Sequence, residues 1–103
     1  MIYKRKDLPQ LNEIMLVDAG IPFTRKVVRP WELSPTQKDL RPQTEDRYLK
    51  VMRNAYKPLI VDSTYKIIDG HHRLDLLLQL NVRDARILQT SISLEEILLL
   101  FKK

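Results

Sequence analysis

Along the chain, apolar positions recur at two spacings that alternate from the first third onward. Between Asp7 and Ala19, Leu8, Leu11, Ile14 and Met15 fall at helical intervals, and Gly20 is placed to end a helix. Pro22 then opens an extended segment, Thr24 to Arg29, which Pro30 closes. Trp31 to Pro42 reads as a loop, punctuated by Pro35 and Pro42. Thr44 is a helix N-cap with Glu45 and Asp46 in the first turn, where carboxylates suit the helix dipole, and the pattern predicts a helix to about Ala55. Leu59 to Val61 and Tyr65 to Ile68 predict two short strands around the turn Asp62-Ser63-Thr64. A helix with Leu74, Leu76, Leu77, Leu78 and Leu80 follows Gly70, and Asn81 can end it. Ala85 to Leu88 predicts a last strand. Ser93-Leu94-Glu95-Glu96 is a capping box that starts a final helix through Phe101. The order α-β-α-β-β-α-β-α predicts an α/β domain: a small mixed sheet with surrounding helices.

Composition narrows the function classes. At 103 residues the chain supports one modest core. No apolar run is long enough to span a bilayer, and no apolar signal region follows the basic N-terminus, so no membrane partner is expected and a cytoplasmic location is. There is no cysteine, which removes disulfides, thiolate zinc sites and cysteine catalysis. Eighteen Lys and Arg against thirteen Asp and Glu give a net charge of +5, which favours polyanionic partners.

Candidate chemistry concentrates in Ile68-Asp69-Gly70-His71-His72-Arg73, where a strand hands over to a helix. The two histidines of the chain are adjacent there. A glycine at such a turn lets backbone approach a ligand, and the helix start offers unpaired N–H groups and a partial positive charge, a combination suited to phosphate. Arg73 can chelate an anion as a planar fork. His71 and His72 can donate to phosphate, shuttle a proton or ligate a metal. Asp69 can hold a cation, accept a proton, or serve only as a helix cap; Arg73 can equally pair with Asp69 or Asp75. A Mg²⁺ or Mn²⁺ ion at Asp69 would need a second carboxylate, either Glu32 or Asp62. Arg47, Lys50, Arg53 and Lys57 recur every three or four residues, predicting a basic face opposite Leu49 and Met52. With Lys4, Arg5 and Lys6 that face can track a nucleic-acid backbone, or be merely solvated.

The turn resembles the nucleotide-binding turn of the ParB/sulfiredoxin-like superfamily. Partitioning ParB proteins carry Gly-Glu-Arg-Arg there, sulfiredoxins Gly-Gly-Cys-His-Arg, and the free-serine kinases Asp-Gly-His-His-Arg. Upstream, Ser34-Pro35-Thr36-Gln37 is similar to the Asn-Pro-x-Gln box of ParB domains. The likeness covers roughly Thr24 to Leu100. It implies a core domain over 21–103 behind an N-terminal helical extension, 1–20. It also implies a nucleotide, ATP or CTP, held by Gly70, His71, His72, Arg73, Gln37 and Lys38. ParB continues Pro-Arg after the glutamine, whereas this chain continues Lys38-Asp39-Leu40-Arg41. The absence of cysteine at His71 excludes sulfiredoxin chemistry. The resemblance implies a metal-assisted nuclease or nucleotide hydrolase using Asp69, His71 and His72, as in stand-alone phage or plasmid ParB-like proteins. The alternatives are a serine-type kinase with Glu32 as its acid, or a non-catalytic module that binds DNA or protein. No helix-turn-helix follows within the chain, as a full partitioning protein would require. A homodimer is left open.

Overall fold

The computed structural model describes residues 3–37, 44–54 and 57–101. Four strands form one mixed sheet: β1 (Phe23–Val28), β2 (Leu59–Val61), β3 (Ile67–Asp69) and β4 (Ala85–Thr90). Their order across the sheet is β1-β4-β2-β3. β1 runs antiparallel to β4, β4 parallel to β2, and β2 antiparallel to β3. The helices are α1 (Glu13–Asp18), α2 (Glu45–Arg53), α3 (His71–Gln79) and α4 (Leu94–Leu100). The mixed α/β architecture and the order of its elements are those expected from the apolar pattern.

Alternation along the strands builds a core on each face of the sheet. Ile60, Ile68 and Leu88 join Leu16, Leu94 and Ile97 of α1 and α4 on one face. Leu59, Val61, Ile67 and Ile87 pack with Leu74 of α3 and Leu33 on the other. The first stretch departs from expectation. No helix runs from Asp7 to Ala19; a 3₁₀ turn, Arg5–Asp7, precedes an irregular segment, and α1 begins only at Glu13, capped by the Asn12 side chain. The Asn12 cap accounts for the late start, because its side-chain oxygen accepts the Met15 N–H and fixes the first turn there. Leu8, Leu11, Leu16 and Ile21 nevertheless enter the first core, so the stretch read as an extension packs into the domain itself.

Two further expectations are corrected. Helix α2 has no buried residue, and Leu49 and Met52, opposite its basic face, stay 48% and 42% exposed. Lys57 lies beyond the end of α2 and so shares no helical face with Arg47, Lys50 and Arg53. The third strand starts at Ile67 instead of Tyr65, because Tyr65 takes a left-handed conformation (φ 67°) that ends the turn.

That turn is organised by Asp62, which is fully buried. Its Oδ1 accepts from the Thr64 and Lys66 N–H groups and the Thr64 hydroxyl, at 2.8–2.9 Å. Its Oδ2 accepts from the Leu94 N–H at the start of α4, at 2.9 Å. Asp62 therefore joins the β2–β3 hairpin to the last helix. Because β2 and β3 are antiparallel, it stands at the opposite end of the hairpin from Asp69 and is unavailable as a second carboxylate there. Asp62→Ala leaves buried N–H groups without partners. Chemical denaturation is expected to show a loss of about 3 kcal/mol, as for charge-assisted hydrogen bonds. Asp62→Asn, which keeps an acceptor oxygen, should lose less.

Candidate functional site

Helix α3 begins directly at the C-terminal end of β3, and the one-residue junction is Gly70. Its φ of 108° is unfavourable for a side chain, and an added Cβ would stand 2.4 Å from Leu59 Cδ2 and 3.2 Å from an Arg73 guanidinium nitrogen. The glycine thus lets β3 turn into α3 while Arg73 folds back over the turn.

Arg73 is tied down on both sides. Its Nη1 donates to the carbonyls of Lys57 (2.9 Å) and Pro58 (3.2 Å), and its Nη2 donates to Asp69 Oδ2 (3.1 Å). The side chain expected to chelate an anion therefore fastens the end of β3 to the approach to β2. Asp69 is partly buried, and desolvation raises its pKa above the usual carboxylate range, opposed by Arg73 and then Lys57. It does not cap α3: the N-cap position is Gly70.

His71 is 6% exposed. Its Nε2 accepts the N–H of Thr36 at 3.0 Å and the N–H of Gln37 at 3.1 Å. The Thr36 hydroxyl lies 3.1 Å away and donates its hydrogen to the Ile67 carbonyl at 2.6 Å. Two N–H donors at Nε2 make the ring a neutral tautomer with its proton on Nδ1. Burial first, and the neighbouring His72 second, push its pKa down to about 4. The acid–base role expected of His71 is not supported by this geometry, because Nε2 already holds the Ser34–Gln37 segment onto the Gly turn. Ser34 strengthens the same junction through a parallel bridge to Lys66, with its N–H on the Tyr65 carbonyl and its carbonyl accepting from Ile67.

A cavity of about 480 Å³ opens in front of this turn. The turn contributes Asp69, Gly70, His71, His72 and Arg73. Helix α2 contributes Arg47, Lys50, Val51 and Asn54, which at spacings of three, four and seven occupy one helical face. Gln37 adds an amide, and Lys6, Leu8, Pro9 and Gln10 form the remaining wall. Among the described residues, Lys6, Arg47, Lys50 and Arg73 place four cations on the lining against one carboxylate, Asp69.

Helix α2 thus turns its Arg47–Lys50 side toward the cavity, which leaves Leu49 and Met52 in solvent. Two cations of the predicted basic face, Arg47 and Lys50, stand beside the Gly turn. Arg53 is exposed, and neither it nor Lys57 lines the cavity. Glu32 is also outside the lining; its Oε2 accepts the Arg29 N–H at 2.8 Å. Lys38 and Arg41 lie outside the described residues. Among the described residues no three or more His, Asp and Glu side chains converge as metal ligands. Asp69 is the one described carboxylate on the lining, so a Mg²⁺ or Mn²⁺ ion there would take its remaining ligands from phosphate oxygens and water. Sequence reading gave no site role to Thr36, Val51, Asn54, Leu8, Pro9 or Gln10, although Asn12 as a cap was a signal that the helix begins only after them.

No protein-family model matches the chain, and no curated protein matches it in sequence. Solved structures share its fold, among them two of ParB N-domains. The structure of a pNOB8-like ParB N-domain is 25% identical over 85% of this chain, with a TM-score of 0.58. The C2221 form of a pNOB8-like ParB N-domain is 25% identical over 74%, with a TM-score of 0.59. The chain spans about a third of each of them, 32% in both cases. The fold is that of a ParB-like N-terminal domain, as the two sequence boxes imply. No described helix is long and apolar enough to cross a membrane.

The depressed pKa of His71 gives a pH signature. The unfolded imidazole takes up a proton near 6.5, whereas the folded one stays neutral down to about 4. Its contribution is complete above 6.5 and is lost as pH falls toward 4, on the order of 3 kcal/mol in all. Asp69 is shifted in the sense that opposes acid loss, so the comparison must be made against a variant. The stability difference between the parent and His71→Gln should shrink by that amount from neutral pH to about 4. A difference independent of pH would show that the imidazole is not held neutral.

Proposed function

We propose that the protein binds the phosphate groups of a nucleotide in the cavity between α2 and the Gly70 turn. The observation that carries this reading is convergence: Arg47 and Lys50 from α2 meet the N-terminus of α3, with its N–H groups and positive dipole end, across one cavity. The cavity volume, about 480 Å³, is within the range of small-molecule sites and suits a nucleotide better than a duplex. Leu8, Pro9 and Val51 supply apolar wall for a base, and ATP or CTP are the first ligands to test. In this reading Arg73 frames the site and Lys6, Arg47 and Lys50 meet the phosphates.

A hydrolytic function, on nucleotides or on DNA, would fall to Asp69 and His72, since His71 Nε2 is occupied. The raised pKa of Asp69 suits a group that exchanges a proton near the ligand. A kinase reading gains nothing from Glu32, which lies outside the lining. DNA contact is the second reading, favoured by exposed Arg53 and Lys57, with Arg47 and Lys50 shared between both ligands.

Calorimetry with ATP and with CTP tests the first reading. Arg47→Ala and Lys50→Ala should each cost about 1.5–3 kcal/mol of binding, the range for a charged hydrogen bond. Arg53→Ala should change nucleotide binding little. Absence of binding, or variants that bind like the parent, would overturn the phosphate site. If the domain hydrolyses nucleotide or cuts plasmid DNA, Asp69→Asn and His72→Ala should abolish turnover with the circular dichroism spectrum unchanged. Retained turnover in both would remove these residues from the chemistry.

A further inference from the structure

Strand β1 forms one edge of the sheet, with β4 on its inner side. The register pairs Phe23 with Thr90 through to Val28 with Ala85, and the Ser91 N–H donates to the Pro22 carbonyl at 3.0 Å. Antiparallel alternation then makes Thr24, Lys26 and Val28 the residues that bond to β4. The N–H and C=O groups of Phe23, Arg25 and Val27 point outward. Among the described residues no hydrogen bond engages them. Thr24 to Val27 are all exposed, and Val27 is 62% exposed. An unbonded strand edge is a template for another strand.

The surface beside this edge is cationic. A second cavity, about 460 Å³, is lined by Arg25, Lys26 and Arg86 with Val27 and Leu88, and among the described residues no carboxylate lines it. Arg25 pairs with Glu13. Lys26 lies 5.7 Å from the centre of the Tyr65 ring. Among the described residues no carboxylate pairs with Lys26 or Arg86.

We propose that the outer edge of β1 receives an extended acidic peptide, which adds to the sheet as a fifth strand. Since Lys26 stands beside Ile87 on one face of the sheet and Arg86 beside Val27 on the other, the peptide carries carboxylates on both of its faces, toward Lys26 on one and Arg86 on the other. Backbone pairing explains why the occupant is a polypeptide, because a nucleic acid offers no matching ladder. Charge explains why it is acidic. A second copy of this chain is disfavoured: two β1 strands paired about a two-fold axis at their centre would set either Arg25 against Arg25 or Lys26 against Lys26, according to the register, and like charges directly opposite destabilise a pair. The site is remote in sequence from the Gly70 turn and does not rest on the nucleotide reading.

The test is an amide NMR titration with a Glu-Glu-Val repeat peptide of about eight residues, long enough for one strand and carrying carboxylates on both of its faces. The Phe23, Arg25 and Val27 amides should shift and gain hydrogen-exchange protection, while those of Thr24, Lys26 and Val28 change less. Binding should weaken with salt. Val27→Pro removes an outward N–H without breaking the β4 ladder, as an edge strand tolerates, and should abolish binding while the remaining spectrum persists. Lys26→Glu with Arg86→Glu should weaken binding about tenfold, with the backbone edge intact. Equal binding of a Lys-Lys-Val repeat peptide, shifts confined to the Gly70 cavity, unchanged affinity in Val27→Pro, or concentration-dependent dimerisation through β1 would each overturn the proposal. Tighter binding of a DNA duplex than of the acidic peptide at these same amides would overturn it as well.

Discussion

One side-chain acceptor holds the working part of this molecule in place: His71 Nε2, facing the backbone N–H groups of Thr36 and Gln37. Those two donors belong to a loop and have no strand to satisfy them. Buried without a partner, each would cost on the order of 1–3 kcal/mol. The imidazole meets both, and Thr36 spends its hydroxyl hydrogen on Ile67. The Tyr3 N–H then donates to the Thr36 carbonyl, so the N-terminal segment rests on the same loop. The shape of the cavity wall follows from this joint.

The joint also settles the protonation of the ring. A proton on Nε2 would confront two N–H donors and enter a region with four cations on the neighbouring lining. Burial disfavours the charge further. A residue that looks catalytic by type is, at this position, a neutral acceptor. Arg73 undergoes a parallel change: a guanidinium positioned to clamp a ligand instead closes on two carbonyls and Asp69. Both residues stiffen the Gly turn, and the cations facing the cavity come from elsewhere, on α2 and near the N-terminus.

The likeness to ParB N-domains fits this arrangement. A small mixed sheet presents its β3–α3 junction at one end, and short loops bring other segments over it. A fold of this kind constrains where a ligand sits without dictating the reaction performed on it. Asp62 and Asp69 illustrate the division. One carboxylate is consumed by four hydrogen bonds that close the hairpin onto α4. The other stands at the cavity with a raised pKa and one ion pair.

Local patterns were enough for the elements, because caps, turns and apolar periods act within a few residues. Thr44, Ser93 and Asn81 mark helix ends as their chemistry requires. Gly70 marked the strand-to-helix turn, and the paired boxes at Ser34–Gln37 and Asp69–Arg73 pointed to the fold and to the location of the site. Tertiary structure alone decided what those residues do. A sequence names the donors and acceptors of a side chain, but their partners lie 35 residues away for His71 and Thr36 and 32 for Asp62 and Leu94. The face that α2 turns inward was likewise undecided locally. The pattern gives a basic face opposite Leu49 and Met52, and only the cavity beside α3 determines that Arg47 and Lys50 line it while Leu49 and Met52 stay exposed.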